Sequence, residues 1–168
     1  MKKFIKHLLC AVALFSATAI NAQNQKIRVF SHRGGRMEFD ENTMAAFQAS
    51  YDAGYRGFEV DIRLTKDGQM VITHDSTLER TTNGKGVVEE KTADELRALQ
   101  TKKGGKLAFL PELLDWLKDK QGLYVEFEMK TKPVHLYPEA TLHAYCDKLY
   151  AMVMENKPAD AEYVFTSS

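Results

Sequence analysis

Cysteine is scarce in this 168-residue chain, with two, and so are tryptophan, with one, and proline, with four. Neither charge sign is in excess, since 23 basic and 23 acidic side chains cancel. The balance leaves no electrostatic footprint for nucleic acid, and no nucleic-acid partner is expected. The sparse proline and ten unperiodic glycines exclude a collagen-like repeat, and the 44% hydrophobic content excludes a disordered tail. Apolar runs are too few and too short for a polytopic membrane protein. Internal repeats, low-complexity tracts and a second-domain linker are also missing.

Residues 1–22 read as a secretory signal. Lys2, Lys3 and Lys6 precede a charge-free apolar run from Leu8 to Ile20, and Ala17-Thr18-Ala19 and Ile20-Asn21-Ala22 offer small-residue cleavage sites. The run is short of the ~20 apolar residues a bilayer span needs, so no stable span is expected after cleavage. The expected localisation is secreted or periplasmic, with the domain occupying residues 23–168. Cys10 leaves with the signal, so Cys146 has no partner for an intrachain disulfide. Its place in a helical pattern is read as buried and apolar.

Strand and helix patterns alternate along the rest. Residues 27–31 read as a strand ending at His32, residues 58–64 as a second and 69–74 as a third. Asn42 is a candidate cap for a helix over 43–53 that stops at Gly54. Thr92 and Glu95 form a capping-box pattern, and Pro111 opens another helix. A strand at 123–130, a helix over 139–155 and a strand at 162–166 complete the series. The alternation predicts an α/β protein with a mainly parallel sheet. The link between Leu64 and Gln69 is too short for a parallel crossover and must be a hairpin. With Asp67-Gly68 as a two-residue turn, Asp61 would face His74.

Glu59 and Asp61 share one face of their strand, opposite Phe58, Val60 and Ile62. Two acids among apolar neighbours are costly unless neutralised, and all-oxygen ligands suit Ca²⁺ or Mg²⁺; a solvated edge-strand face is the other reading. Glu126, Glu128 and Lys130 repeat the pattern. Lys130 is placed for a phosphate oxygen, or for a surface ion pair. His32-Arg33-Gly34-Gly35 follows the first strand, and His74-Asp75 ends the third. Histidines can move protons near neutral pH, and arginine can hold phosphate oxygens bidentately. A base, an acid, a cation site and two positive side chains suit phosphoester cleavage. Thr82-Asn83-Gly84-Lys85-Gly86 lacks the context of a phosphate loop and reads as a turn. His135 and His143 read as surface residues, and Trp116 as packing.

These segments, in order, carry a resemblance: HRGG at 32–35, ENTMAAF at 41–47, FEVDIRLTKDGQMVITHD at 58–75, LERTTNGKG at 78–86, LPELL at 110–114 and VEFEMK at 125–130. The chain resembles the glycerophosphodiester phosphodiesterases, in the superfamily of phosphatidylinositol-specific phospholipase C. The resemblance implies a TIM-type (β/α) barrel and hydrolysis of glycerophosphodiesters to glycerol 3-phosphate and an alcohol. It implies that Glu59, Asp61 and Glu128 ligate a divalent cation, Ca²⁺ or Mg²⁺. It implies that His32 and His74 are base and acid, and that Arg33 and Lys130 bind phosphate. Glu41 and Glu126 would stand behind that first layer. Two departures are expected to matter: Asp40, where the family has proline, loosens its loop, and Glu126, where it often has asparagine, adds a carboxylate. The alternatives are a phospholipase-D-like or inositol-phosphodiester-cleaving relative, or an inactive phospholipid- or metal-binding fragment.

Length sets a further expectation. Beyond residue 22 about 146 residues remain, whereas a barrel of this type takes about 250 residues and eight strands. The expected fold is therefore an incomplete barrel, the N-terminal part of a longer enzyme lacking its closing strands. Alone it is expected to fold poorly and to be inactive.

Overall fold

The computed structural model describes residues 28–168; the signal-like segment lies outside the described residues. Strand β1 (Phe30–His32) is followed by helix α1 (Met44–Asp52), then β2 (Gly57–Leu64) and β3 (Met70–Ile72). A 3₁₀ turn at Val88–Glu90 precedes α2 (Ala93–Arg97), β4 (Ala108–Phe109), α3 (Leu110–Leu117) and β5 (Tyr124–Met129). A second 3₁₀ turn, Val134–Leu136, leads to α4 (Glu139–Glu155) and β6 (Glu162–Ser167).

One mixed sheet runs β4-β3-β2-β5-β6, with β1 also paired to β2. The strands β1, β2, β5 and β6 pair in parallel, while β3 runs against them and pairs antiparallel with both β2 and β4. Among the described residues β4 and β6 are the two ends of the sheet, which forms an open arc.

Alternation on β2 and β5 sorts the faces. Phe58, Val60, Ile62, Val125 and Phe127 are at most 1% exposed and pack against Phe47 of α1, Leu113, Leu114 and Leu117 of α3, and Tyr145, Leu149 and Val153 of α4. Each such side chain contributes about 1.5–3 kcal/mol on burial. A second cluster of Val71, Leu78, Val88, Leu96 and Phe109 lies under α2. The Thr92–Glu95 capping box is formed, and Pro111 sits in the first turn of α3.

Four expectations need correction. The β2–β3 hairpin exists, but Ile62 faces Ile72 and Leu64 faces Met70, so Thr73, not His74, donates its amide to the Asp61 carbonyl. The turn holds three residues, Lys66, Asp67 and Gly68, closed by Thr65 N–H to Gln69 O, with Gly68 at φ +73°. The left-handed glycine allows the extra residue, which shifts the register by one.

The cap of α1 is Thr43, whose hydroxyl accepts from the Ala46 amide at 3.2 Å. Asn42 is occupied elsewhere. Cys146 is exposed, because it follows Tyr145 and lies one helical step off the buried Tyr145-Leu149-Val153 stripe. The loop around Asp40 is tied rather than loosened: the Asp40 carboxylate accepts from the Lys103 amide at 2.9 Å, and Lys103 Nζ donates to the Glu38 carbonyl at 3.0 Å.

Candidate active site

The register of the parallel strands stacks side chains in rows across the face opposite the core. His32, Glu59, Glu126 and Val164 form one row, and Asp61, Glu128 and Thr166 the next. Carboxyl oxygens of Glu59, Asp61 and Glu128 all lie within 4.8 Å of one another.

Asp61 is fully buried. Asn42 Nδ2 donates to its Oδ2 at 2.8 Å, Arg33 Nε lies 3.2 Å from the same oxygen, and Lys130 Nζ lies 3.0 Å from Oδ1. Lys130 Nζ also reaches Glu128 Oε1 at 2.5 Å. Glu59 Oε2 accepts the Arg33 amide at 3.1 Å, while its Oε1 is buried with no hydrogen-bond partner. Burial and the neighbouring Asp61 charge push the Glu59 carboxyl up to about 8. Burial also acts to raise Glu128, but bonds from Lys130 and Ser168 outweigh it and hold that carboxyl below its usual range. An orphaned carboxyl oxygen beside two further acids is a donor set that fits a hard divalent cation. Among the described residues this is the three-acid group that meets such spacing.

His32 Nε2 stands 3.5 Å from Glu59 Oε2. Partial burial, then the charges of Arg33 and Arg36, lower its pKa and favour neutral imidazole. Arg33 and Lys130 are each under a tenth exposed. Arg33 holds Asp61 with one edge and Glu41 Oε1 with NH1 at 3.2 Å.

His74 reaches the cluster indirectly. Its Nδ1 is 2.7 Å from Asp75 Oδ1. Asp75 is bonded to Arg80, which is bonded to Glu41. The strands explain the approach of both histidines. β1 ends with His32 opposite Glu59, and the other chain segment on that edge arrives antiparallel with Thr73 opposite Asp61. The two segments meet end to end beside Val60, so both histidines emerge where the acids stand.

Glu126 is a step removed: it sits beside Glu59 in register but bonds Thr166 Oγ1 at 3.0 Å and is not in the three-acid group. Sequence reasoning assigned no role to Asn42 beyond capping, nor any to Arg63, Asp75, Glu89 and Arg80. Asp75 and Arg80 lay within quoted motifs, but their partners are set by tertiary contacts. Arg63 Nε donates to the His74 carbonyl at 3.0 Å, and its NH1 donates to Glu89 at 2.7 Å and to the Lys132 carbonyl at 2.8 Å.

The fold and this centre define an α/β-barrel protein, seen as an arc, with a buried acidic cluster between two histidines and two cationic side chains. Residues 32–167 match the model of the glycerophosphoryl diester phosphodiesterase family, and the chain belongs to that family. It is 42% identical over 120 residues to a glycerophosphodiester phosphodiesterase of Caldanaerobacter subterraneus, covering 67% of this chain and 49% of that protein. A phosphodiesterase of Oleispira antarctica, solved with the product sn-glycerol-3-phosphate, superposes with a TM-score of 0.72 at 26% identity. That match covers 84% of this chain and 57% of the other. A glycerophosphodiester phosphodiesterase of Parabacteroides distasonis gives 0.67 at 26% identity, over 82% and 56%. The chain spans about half the length of the curated relatives it matches. Among the described residues no helix is long and apolar enough to cross a membrane.

Proposed function

We propose that the protein is a secreted or periplasmic, metal-dependent phosphodiesterase that hydrolyses glycerophosphodiesters to glycerol 3-phosphate and an alcohol. The observation that carries this reading is the convergence of Glu59, Asp61 and Glu128 within 4.8 Å, beside His32. In it these three acids hold one divalent cation, Ca²⁺ or Mg²⁺, which when bound supplies positive charge at the phosphate.

The chain's own groups do the rest. Arg33 and Lys130 add charge for the phosphate oxygens. Neutral His32 takes a proton from the attacking hydroxyl, either water or the glycerol moiety's own 2-hydroxyl; the second route gives a cyclic phosphate that water then opens. His74, held through Nδ1 by Asp75, gives a proton to the departing alcohol oxygen. One P–O bond forms, one breaks, and the proton balance closes between the histidines.

A coupled assay for glycerol 3-phosphate, run across several glycerophosphodiesters with and without each cation, tests this. Cation-dependent release of glycerol 3-phosphate is the expected result. Inositol phosphate from glycerophosphoinositol, or phosphatidic acid when a diacyl phospholipid is supplied, would assign a related chemistry, and ligand binding without turnover by the whole encoded protein would refute the enzymatic reading.

A further inference from the structure

The loops leaving β1 and following β3 have no strand ladder between them, since both segments end beside Val60 on the same edge of β2. One side chain bridges the gap. Arg80 Nε and NH2 donate to Asp75 Oδ2 and Oδ1 at 2.5 and 3.0 Å. Its NH1 and NH2 donate to Glu41 Oε2 and Oε1 at 2.9 and 2.7 Å. Glu41 belongs to the loop after β1 and also holds Arg33; Asp75 belongs to the segment after β3 and holds His74. The charges alternate from Arg33 through Glu41, Arg80 and Asp75 to His74.

We infer that Arg80 is a positioning residue that fixes the His74 imidazole relative to Arg33 by clamping Asp75 and Glu41 at once. A planar fork with five donors makes two bonds to each carboxylate and fixes both their planes; a lysine's three donors cannot make all four bonds. The two acids are the sheltered members, with side chains 24% and 12% exposed, while half of the Arg80 side chain faces solvent. A half-exposed arginine of merely general stabilising effect would have little influence on the neighbouring groups. Here its bonds are the main cause holding Glu41 below its usual range and drawing Asp75 down to about 2, so both acids stay ionised as acceptors. An ionised Asp75 keeps a proton on Nδ1 of His74 and leaves Nε2 as the atom that carries the proton given to the reacting oxygen.

The kinetic consequence rests on the function proposed above; the geometric one does not, and the test separates them. In the purified protein, the nitrogen-proton correlations of the His74 ring are followed by NMR in wild type, Arg80→Met, Arg80→Lys and Asp75→Asn. The inference expects Nδ1 to keep its proton in wild type, with proton exchange confined to Nε2, and a proton shared between Nδ1 and Nε2 in all three variants. In parallel, turnover is measured on glycerophosphocholine and on a glycerophosphodiester with a p-nitrophenyl leaving group. Arg80→Met is expected to lose about 100-fold in kcat on the choline ester, the low end of a general acid's contribution, with KM nearly unchanged. The activated ester should lose little, because it needs no proton. Added to Asp75→Asn, Arg80→Met should cost nothing further. Unchanged His74 signals in Arg80→Met would overturn the inference. So would equal losses on both esters, or fully additive effects with Asp75→Asn. If wild type turns over neither ester, the proposed function fails and the ring signals alone decide the positioning role.

Discussion

Arg63 Nε donates to the backbone carbonyl of His74 at 3.0 Å, and this contact ties the end of β2 to the start of the segment carrying His74. The same guanidinium holds Glu89 and the Lys132 carbonyl, and Tyr137 donates its hydroxyl to Glu89 at 2.6 Å. Arg63 and Glu89 side chains are each 6% exposed. Arg63→Met should therefore leave Glu89 as a buried, uncompensated carboxylate, at a cost of about 3–5 kcal/mol. A fall in Tm of about 10 °C or more is expected by calorimetry. Arg63→Met with Glu89→Leu should recover most of it, since an apolar pair of similar volume needs no counter-charge. Equal melting of the single and double variants would contradict this account.

Gly57 of β2 lies against the backbone that leads into β1. A Cβ there would lie 2.6 Å from the Val29 carbonyl oxygen, a backbone atom that cannot step aside. Phe30, the register partner of Gly57, packs edge-on against Tyr124 with ring centroids 4.9 Å apart. Gly57→Ala should push β1 away from β2 and carry His32 out of reach of Glu59. The expected result is a loss of about 1–3 kcal/mol of stability from overpacking, read by urea denaturation. His32 ring signals should shift in the NMR spectrum as well. A variant with wild-type midpoint would show that the strands tolerate the wider spacing.

Strong local periodicity was readable in the sequence. The alternation of Phe58, Val60 and Ile62 against Glu59 and Asp61 placed the acids together, and α4 spans the expected 139–155. The β2–β3 register was not readable, because Met70, Val71 and Ile72 are all buried and offer no polar face to pin the pairing. Asn42 and Thr43 are both good caps; the choice falls to Thr43 because Asp61, 19 positions away, claims the Asn42 amide. Glu41 and Arg80 are 39 residues apart with no local pattern to join them. Chemistry held on one strand was visible, and chemistry assembled between loops was not.

Glu128 and Glu126 share a strand face but should differ in their hold on a divalent cation. Glu128 belongs to the three-acid group, while Glu126 is bonded to Thr166 one row away. Titration calorimetry with Ca²⁺ and Mg²⁺ should show Glu128→Gln and Glu59→Gln losing at least about 100-fold in affinity. Glu126→Gln should lose less than about tenfold. A loss in Glu126→Gln equal to that in Glu128→Gln would move the cation site toward the row of Glu59 and Glu126.

Asp75 gives the chain an acid-side sensitivity with a defined window. Its bonds from Arg80, opposed by partial burial and aided by His74, place its carboxyl at about 2, below the ordinary 3.8 of an aspartate. Between those values the unfolded chain binds the proton that the folded chain does not, so stability rises with pH across the window. The contribution is complete above pH 4 and disappears as pH falls toward 2. Because the pair is partly exposed, solvent and salt reduce its size. Asp75→Asn has no such proton to take up. The difference in unfolding free energy between wild type and Asp75→Asn should therefore shrink from pH 5 to pH 2, and shrink less in 0.5 M salt. A difference that stays constant over that range would mean that the Asp75–Arg80 bond does not depend on the ionised carboxylate.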